Sequence, residues 1–310
     1  MTRSPVVLGL DFGGTKIAVA VGDLSGRRLG AATVESLAEV GAEAAMARGL
    51  AAARDLLADV APERELVAVG AATLGIPFDD RVELAPTFPG WGEIAFGQRV
   101  RDAFPGIPVR LSTDVKAAAA AELRWGALAG CDPGIYLNLG TGLAVAIVAG
   151  DVVVSGAHGA AGEIGYNLRT TADVWVAPAE RTILEDVVSG QALAAAGSAR
   201  LGQPVTAAEV FALAETRPDA AALTDTFIHE LAMHVVNLAI AIDPVRIVGG
   251  GGLVGSWAQI EPGLRRALDA AVPFPPELMV ARFPDDAPLV GVLALGVEAA
   301  GGVLGEEVLA

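Results

Sequence analysis

The fold is decided by a short phrase that the chain uses twice, GTKIAVAV at residues 14–21 and GTGLAVAI at residues 140–147. Five of the eight letters coincide, and each copy follows an apolar run, VVLGLDF in the first case and GIYLNL in the second. Apolar, β-rich runs separated by glycine turns are typical of antiparallel strands joined by hairpins. We therefore predict that each copy is part of a β-meander, and that the chain has two halves built on one plan.

Helical and strand-like segments alternate after each meander. Apolar residues at helical spacing predict helices, and short apolar runs between turn residues predict strands. In the first half the predicted helices cover residues 39–59, 95–104 and 114–129, and the predicted strands cover residues 65–74 and 107–112. In the second half the predicted elements are helices at residues 183–197, 206–216 and 219–242, a strand at 245–250, a glycine run, a further helix and a final helix from residue 288. We expect two α/β lobes with a ligand cleft between them.

The composition argues against several classes of protein. The 310 residues carry a net charge of −16 and 53% are hydrophobic, so the chain can bury a large core but offers no basic face to nucleic acid or to an acidic membrane surface. No uninterrupted apolar run reaches about 18 residues, and Asp11 breaks the short N-terminal apolar stretch, so neither a membrane span nor a signal peptide is predicted. The single cysteine, Cys131, allows no intrachain disulfide. We expect a cytoplasmic protein.

Each Gly-Thr turn can hold phosphate, because glycine lets backbone N–H groups approach an anion and threonine adds a hydroxyl. Asp11, at the end of the strand before the first turn, can hold a divalent cation directly or through water. A strand rather than a helix follows each turn, so neither is a P-loop or a dinucleotide fingerprint. One such turn favours an ordinary hairpin, whereas two matched copies favour phosphate binding. The predicted phosphate contacts are Gly13, Gly14, Thr15 and Lys16 in the first turn and Gly140, Thr141 and Gly142 in the second.

A third glycine-rich segment, IVGGGGLVG at residues 247–255, leads from a predicted strand into a helix. After the two turns, Gly249, Gly250 and Gly251 suit a platform for a nucleotide base and ribose. The alternative is that these glycines only allow close packing of neighbouring elements.

Seven segments, taken in order, resemble the ROK family of sugar kinases and repressors, and the resemblance covers nearly the whole chain. It implies an α/β, actin/hexokinase-like fold of two duplicated ribonuclease-H-like lobes. It also implies phosphorylation of a sugar hydroxyl with ATP and Mg²⁺, a homodimer, and a final helix that returns to the first lobe. The expected lobes are therefore residues 1–115 with 288–310, and residues 116–287. The matching segments are LDFGGTKIAVA (10–20), FPGW (88–91), TDVKAAAAAE (113–122), LGTG (139–142), GAHGAAGEIG (156–165), NLAIAIDPVRIVGGGGL (237–253) and PLVGVLALG (288–296).

Asp114 is the candidate general base. From the residues alone, an aspartate between the strand PVRLS and the helix VKAAAAAELRWG is a helix N-cap. The resemblance favours the catalytic role, because the family's base is the aspartate of an Asn-Asp pair at this point. The pair here is Thr113-Asp114, and a threonine hydroxyl cannot span two sugar hydroxyls as an amide can. The preferred sugar therefore stays open.

The resemblance also implies a set of sugar contacts. Glu163, in AGEIG, matches a sugar-binding carboxylate, and Glu185, in ILEDVVSG, matches a second. His158 lies in the same loop as Glu163, Thr87 precedes PGW, and Tyr166 takes the place of a histidine that usually touches the sugar. The alternatives are a surface carboxylate in a loop for Glu163, a helix-surface carboxylate for Glu185 and a hydrogen-bonded structural residue for His158.

Structural zinc is not expected, although most of the family carries a histidine followed by a zinc-binding, cysteine-rich loop. The loop after Tyr166, TTADVWVAPAERTILE, contains neither Cys nor His, and a tetrahedral zinc site needs about four nitrogen or sulfur ligands. His229 and His234 are five residues apart, which places them about 140° apart around a helix, so they are not a metal-binding pair. We expect Mg²⁺, bound through Asp11 and ATP, as the metal.

The leading hypothesis is an ATP-dependent kinase that phosphorylates a hexose, either glucose-like or an N-acetylated hexosamine. The first alternative is a catalytically weak sugar-binding protein or sensor of the same fold, given Thr113 and Tyr166. A DNA-binding repressor is disfavoured, because the first phosphate turn begins near residue 11 and leaves no room ahead of it for a winged helix. The second alternative is an actin-like structural ATPase. Polyphosphate stays open as the phosphate donor.

Overall fold

The computed structural model describes residues 3–85 and 88–304. The chain divides into two compact units, and each contains one five-stranded sheet and a hydrophobic core of its own. The first unit consists of Met1–Arg124, Ser155–Ala160 and Asp286–Ala310, and the second consists of Trp125–Val154 and Ala161–Asp285.

The first unit begins with a three-stranded meander and continues with alternating helices and strands. Its elements up to residue 125 are β1 (Pro5–Phe12), β2 (Lys16–Gly22), β3 (Arg28–Glu35), α1 (Ala42–Val60), β4 (Glu65–Thr73), β5 (Ile76–Pro77), β6 (Val82–Glu83), α2 (Phe96–Ala103), β7 (Val109–Thr113) and α3 (Asp114–Trp125).

The first sheet has the strand order β3-β2-β1-β4-β7. Strands β1, β2 and β3 are antiparallel neighbours, whereas β4 pairs parallel with β1 and β7 pairs parallel with β4. The central strands β1 and β4 are apolar and buried along nearly their whole length, as expected of strands covered on both faces. The meander predicted at the N-terminus is therefore confirmed.

The second unit repeats this arrangement. Its strand order is β10-β9-β8-β11-β12, with β8, β9 and β10 antiparallel and with β11 and β12 parallel to β8. The matching order and strand directions confirm that the two halves share one plan. The elements are β8 (Gly134–Leu139), β9 (Leu143–Ala149), β10 (Val152–Val153), α4 (Gly190–Leu201), α5 (Ala207–Ala214), α6 (Pro218–Ile242), β11 (Arg246–Gly250), α7 (Trp257–Ala271) and β12 (Glu277–Val280).

The last helix, α8 (Ala287–Leu304), packs on β1 and β4 of the first sheet. A side chain at Gly70 of β4 would collide with the carbonyl of Val292, so glycine is what lets helix and strand approach this closely. The C-terminal helix therefore completes the first unit, although the whole of the second unit precedes it in sequence.

Three details differ from the sequence expectations. The helix predicted at residues 183–197 begins only at Gly190, because the Ser189 side chain accepts the Ala192 N–H and caps α4 there. Strand β12 was not predicted, since it is four residues long and mostly exposed. The boundary between the units falls after Arg124 rather than after residue 115, because all of α3 except its last residue, Trp125, stays with the first unit.

Helix α6 is long and apolar enough, by length and composition, to cross a membrane. The core helix of a soluble protein meets the same criterion, and α6 packs against α5 and α7 in the core of the second unit. No other helix among residues 3–85 and 88–304 meets it.

Candidate active site

Three parallel strands of the first unit end level with one another. Phe12 of β1 pairs with Thr73 of β4, and Thr73 pairs with Thr113 of β7. Asp11 directly precedes Phe12 and Asp114 directly follows Thr113, so both aspartates belong to the carboxyl edge of this sheet. Ligands of open α/β sheets bind at that edge.

Asp114 is the first residue of α3, but it does not cap the helix. The Thr113 hydroxyl accepts the Lys116 N–H at 3.2 Å and so fills the N-cap position. The Asp114 carboxylate instead accepts the adjacent Val115 N–H at 2.8 Å and its own backbone N–H. Burial raises the pKa of the Asp114 carboxyl, although these backbone bonds and the Lys116 charge oppose the rise. The cap interpretation of Asp114 is therefore replaced by Thr113, and the Asp114 carboxylate is made more basic.

Asp11 is half-buried at the end of β1. Burial and the neighbouring Asp114 carboxyl raise the pKa of Asp11 to about 7, against the opposing effect of the Lys16 ammonium. The Asp114 carboxyl makes ionisation of Asp11 less favourable, and a buried carboxyl in this setting is a favourable place for a cation. Hard oxygen ligands of this kind suit Mg²⁺, which proteins commonly bind through one or two carboxylates together with substrate phosphates.

The middle of this edge is held by an interaction that the sequence did not predict. The buried Trp91 of the FPGW segment donates its Nε1–H to Thr73 Oγ1 at 2.7 Å. The Trp91 ring also packs with Phe12, Phe88 and Phe96 in the core of the first unit. The segment therefore fixes the end of β4 between the two strands that carry the aspartates.

The first Gly-Thr turn is held from β3. Buried Ser36, just past that strand, donates its Oγ–H to the Gly13 carbonyl at 2.7 Å and its N–H to the Thr15 carbonyl at 2.9 Å. Gly13 N–H donates to the Lys16 carbonyl at 3.0 Å, which closes the hairpin. Gly14, Thr15 and Lys16 are exposed, and in the described part of the chain the N–H groups of Gly14 and Thr15 have no protein acceptor. These two amides are available to an anion.

The second Gly-Thr turn is held from a different direction. The carbonyls of Gly140 and Thr141 accept the N–H groups of Gly190 and Gln191, the first residues of α4, at 2.9 and 3.2 Å. Gly140 N–H donates to the Gly142 carbonyl. The N–H groups of Thr141 and Gly142 have no acceptor among residues 3–85 and 88–304, so this turn also presents two backbone donors.

Glu163, Tyr166 and Glu185 lie together in the second unit. Glu163 directly precedes the 3-10 turn Ile164–Tyr166. Val145 N–H donates to the carbonyl of Gly162, the residue before Glu163, and this bond ties the loop to β9. Burial, then the charges of Glu185 and Glu163, raise the pKa of the Tyr166 phenol. Glu185 is in the 3-10 turn Leu184–Asp186, not on a regular helix, and its Oε2 accepts the Leu143 N–H at 2.7 Å.

The glycine run divides into two parts. Gly249 and Gly250 are buried in β11, where added side chains would collide with Trp257 and Tyr136. The close-packing alternative accounts for these two glycines. Gly251 has a φ of 85° and Gly252 is exposed with open space around it, so the backbone a ligand can approach begins at this end of the run.

The remaining predicted sugar contacts are His158 and Thr87. His158 is exposed and belongs to the first unit, whereas Glu163 belongs to the second. Thr87 lies outside the described residues. His229 Nδ1–H donates to the Asp225 carbonyl, and His234 pairs with the Asn167 side chain, so the two histidines serve different local contacts on α6.

The loop after Tyr166 is held by arginines. Arg181 donates to the carbonyls of Tyr166 and Asn167, and Arg169 forms a bidentate pair with Glu230 of α6. No group of three or more His, Cys, Asp or Glu side chains among the described residues is arranged to hold a metal ion. These residues do not fit a tetrahedral zinc site.

Fold and site together define a two-unit α/β protein with the duplicated sheet of the actin/hexokinase-like fold. The chain belongs to the ROK family, whose model matches residues 7–299. Both the resemblance and the fold class expected from the sequence are confirmed.

Three similar proteins narrow the class of activity. The kanosamine kinase of Amycolatopsis mediterranei is 30% identical over 269 residues, which are 84% of this chain and 85% of that protein. The structure of a ROK hexokinase from Thermus thermophilus has a TM-score of 0.80 and 29% identity, covering 96% of this chain and 99% of that one. A ROK glucokinase from Streptomyces griseus, in complex with glucose and AMPPNP, has a TM-score of 0.74 and 26% identity, covering 94% and 99%. The chain is a carbohydrate kinase.

Proposed function

We propose that this kinase transfers the γ-phosphoryl group of ATP to a hydroxyl of a hexose, either glucose-like or an N-acetylated hexosamine, with Asp114 as the general base. Phosphoryl transfer needs an oriented acceptor hydroxyl, a base for its proton and neutralisation of phosphate charge. The observation that carries the proposal is that Thr113 caps α3, which leaves the more basic Asp114 carboxylate at the edge of the sheet without a capping role.

The phosphate contacts proposed are the free N–H groups of Gly14 and Thr15 in the first unit and of Thr141 and Gly142 in the second. Lys16, exposed at the start of β2, adds a positive charge beside Asp11. Gly251 is proposed for the base and ribose, with Gly252 added, while Gly249 and Gly250 support it through packing. The AMPPNP complex of the Streptomyces griseus glucokinase supports ATP as the donor.

Mg²⁺ is the metal that the residues fit, through Asp11. Bound there together with ATP, it would neutralise charge on the phosphates during transfer. The raised pKa of Asp11 means that this carboxyl is only partly ionised near pH 7 without a cation, so cation binding favours its charged form.

The sugar contacts proposed are Glu163, Glu185 and Tyr166 in the second unit and Thr113, His158 and Thr87 in the first. Carboxylates such as Glu163 can accept from two neighbouring hydroxyls. Thr113 Oγ1 already accepts the Lys116 N–H, so toward a sugar it offers chiefly its O–H as a donor. This restricted contact is what we expect to set the sugar preference apart from that of relatives with an amide at this position.

The test is a panel of sugars offered with Mg²⁺-ATP and, separately, with Mg²⁺-polyphosphate, followed by detection of the sugar phosphate. We expect a hexose or N-acetylated hexosamine to be phosphorylated with ATP. Sugar binding by calorimetry without formation of sugar phosphate from either donor would instead support the sensor alternative. Nucleotide-dependent filaments without sugar turnover would support the actin-like alternative.

We further propose a homodimeric, cytoplasmic enzyme that binds neither nucleic acid nor membrane. The net charge of −16 and the single, buried cysteine support this assignment. Light scattering of the purified protein at several concentrations measures the mass of the assembly; a monomer at all of them would contradict the dimer.

A further inference from the structure

We infer that Glu185 positions the second Gly-Thr turn for nucleotide binding, in addition to any contact it makes with sugar. The inference rests on the proposed function, because it takes residues 140–142 as a phosphate contact. It makes Glu185 a positioning residue whose removal weakens nucleotide binding even when no sugar is present.

A hydrogen bond joins Glu185 to the residue that follows the turn. Leu143 is the first residue of β9 and directly follows the turn, and its N–H donates to Glu185 Oε2 at 2.7 Å. The Glu185 side chain is half-buried, and a bond from a backbone N–H to a carboxylate is among the stronger ones that proteins make. The end of the turn is therefore fixed by a group 42 residues away in sequence.

One short segment, from Glu185 to Gln191, holds the whole turn. Glu185 fixes Leu143, while Gly190 N–H and Gln191 N–H donate to the carbonyls of Gly140 and Thr141. These bonds direct the turn's carbonyls toward the start of α4. The N–H groups of Thr141 and Gly142 are left for a ligand, because nothing described in the protein accepts them.

Two glycines lie close to the Glu185 side chain. A Cβ at Gly142 would lie 2.5 Å from Glu185 Oε2, and a Cβ at Gly165 would lie 3.1 Å from Glu185 Cβ. At Gly142 the near atom is the end of the Glu185 side chain, and at Gly165 it is the Glu185 Cβ, with the Leu143 carbonyl equally close. The final glycine of the turn is thus matched to Glu185, and not only to an incoming phosphate.

The consequence is a physical link between two proposed subsites. One oxygen of Glu185 fixes the turn, and the carboxylate also acts electrostatically on Tyr166, which Glu163 flanks. A change at Glu185 should therefore affect nucleotide and sugar together, whereas a group that touches sugar alone should affect only sugar.

The experiment measures AMPPNP binding by calorimetry, with Mg²⁺ and without sugar, for the wild type, Glu185→Ala, Glu185→Gln and Asp186→Ala. We expect Glu185→Ala to weaken binding about ten-fold, the effect of losing one hydrogen bond to a charged group. Glu185→Gln should stay within about three-fold of wild type, because its amide oxygen can accept the same N–H. Asp186→Ala is the matched control: it removes an adjacent carboxylate that, within the described part of the chain, accepts only the Ile183 N–H, and it should leave binding unchanged.

Equal AMPPNP affinity in Glu185→Ala and the wild type would overturn the inference, and so would equal losses in the Ala and Gln variants. If Glu185→Ala does not fold, hydrogen exchange of the Leu143 amide decides the matter. That amide should be protected in the wild type and in Glu185→Gln, and an unprotected amide in the wild type overturns the inference. Failure of the proposed function gives a different result, since a protein that phosphorylates no sugar can still show the Ala–Gln difference in AMPPNP affinity.

Discussion

The two units present the same turn on the same sheet and hold it by different means. In the first unit the holding group is Ser36, which follows the next strand of the meander and bonds the carbonyls of Gly13 and Thr15. In the second unit the holding groups are Glu185 and the start of α4, which come after a loop and several short turns. A shared backbone plan therefore does not fix the side chains that stabilise it.

The units also differ in charge at their sheet edges. Aligned on the repeated phrase, Asp11 of the first unit corresponds to Leu137 of the second, which is fully buried in the core. The first unit keeps two aspartates with raised pKa values at its edge, whereas the proposed sugar-binding carboxylates of the second, Glu163 and Glu185, lie in a loop and a 3-10 turn. The comparison supports the proposal that the general base belongs to the first unit, while the second contributes binding groups.

The largest expected effect comes from removing the base. Asp114→Asn should lower kcat by about 10³-fold, because an amide cannot accept the proton of the sugar hydroxyl. Thr113 still caps α3, so the variant should fold and bind AMPPNP with wild-type affinity. Steady-state kinetics with the best sugar measure the loss, and activity within a few-fold of wild type would show that Asp114 is not the base.

A smaller effect should come from the anchor of the first turn. Ser36→Ala removes the bond to the Gly13 carbonyl and should cost about 1–2 kcal/mol of unfolding free energy, with KM for ATP raised several-fold. Ser25→Ala is the matched control, because Ser25 bonds Asp23 in an exposed turn of the same unit and should cost less than about 0.5 kcal/mol. Urea unfolding and KM measurements test both. Equal effects of the two substitutions would contradict a stabilising role for the buried hydrogen bond of Ser36.

The next expected effect concerns Asp11 and depends on pH. Its folded pKa of about 7 lies above the ordinary value of 3.8, so the folded state holds a proton that the unfolded state has released. The contribution of Asp11 to wild-type stability should therefore be lost as pH rises from about 4 to 7. Asp11→Asn cannot lose a proton, so its Tm should exceed the wild-type value by several degrees at pH 8, and the gap should shrink toward pH 5 when metal and nucleotide are absent.

Asp23→Asn supplies the opposite sign as a control for that measurement. Burial alone would raise the pKa of Asp23, but hydrogen bonds from Ser25 and Arg27 lower it, so its charged form stabilises the folded state. Asp23→Asn should therefore lower Tm slightly at pH 8. A Tm difference for Asp11→Asn that stays constant between pH 5 and pH 8 would contradict the raised pKa of Asp11.

The smallest effect expected is none at all. The loop after Tyr166 is held by Arg181 and by the Arg169–Glu230 pair, not by a cluster of zinc ligands in the described part of the chain. Treatment with a zinc chelator should leave Tm unchanged, and elemental analysis should find only substoichiometric zinc. Stoichiometric zinc that stabilises the protein would contradict this prediction.

The general plan could be predicted from local pattern, and its side-chain contacts could not. Repeated apolar runs and Gly-Thr turns identify the two meanders, because strand periodicity and turn chemistry are local properties. The start of α4 was predicted too early, since Glu185 bonds Leu143 and Ser189 caps the helix, and neither partner is visible in a helical pattern. Ser36 and Trp91 were missed for the same reason, as their partners lie far away in sequence.

By itself, the sequence predicted the duplicated α/β plan and the family, because motif order and apolar spacing are written along the chain, and the family resemblance made Asp114 the candidate base. Only the tertiary structure decided that Thr113 caps α3, that Asp11 and Asp114 raise the cost of ionisation at one sheet edge, and that Glu185 holds a turn. The physical reason is that hydrogen bonding and desolvation depend on which groups meet in space. Strands and helices that are distant in sequence bring those groups together only when the chain folds.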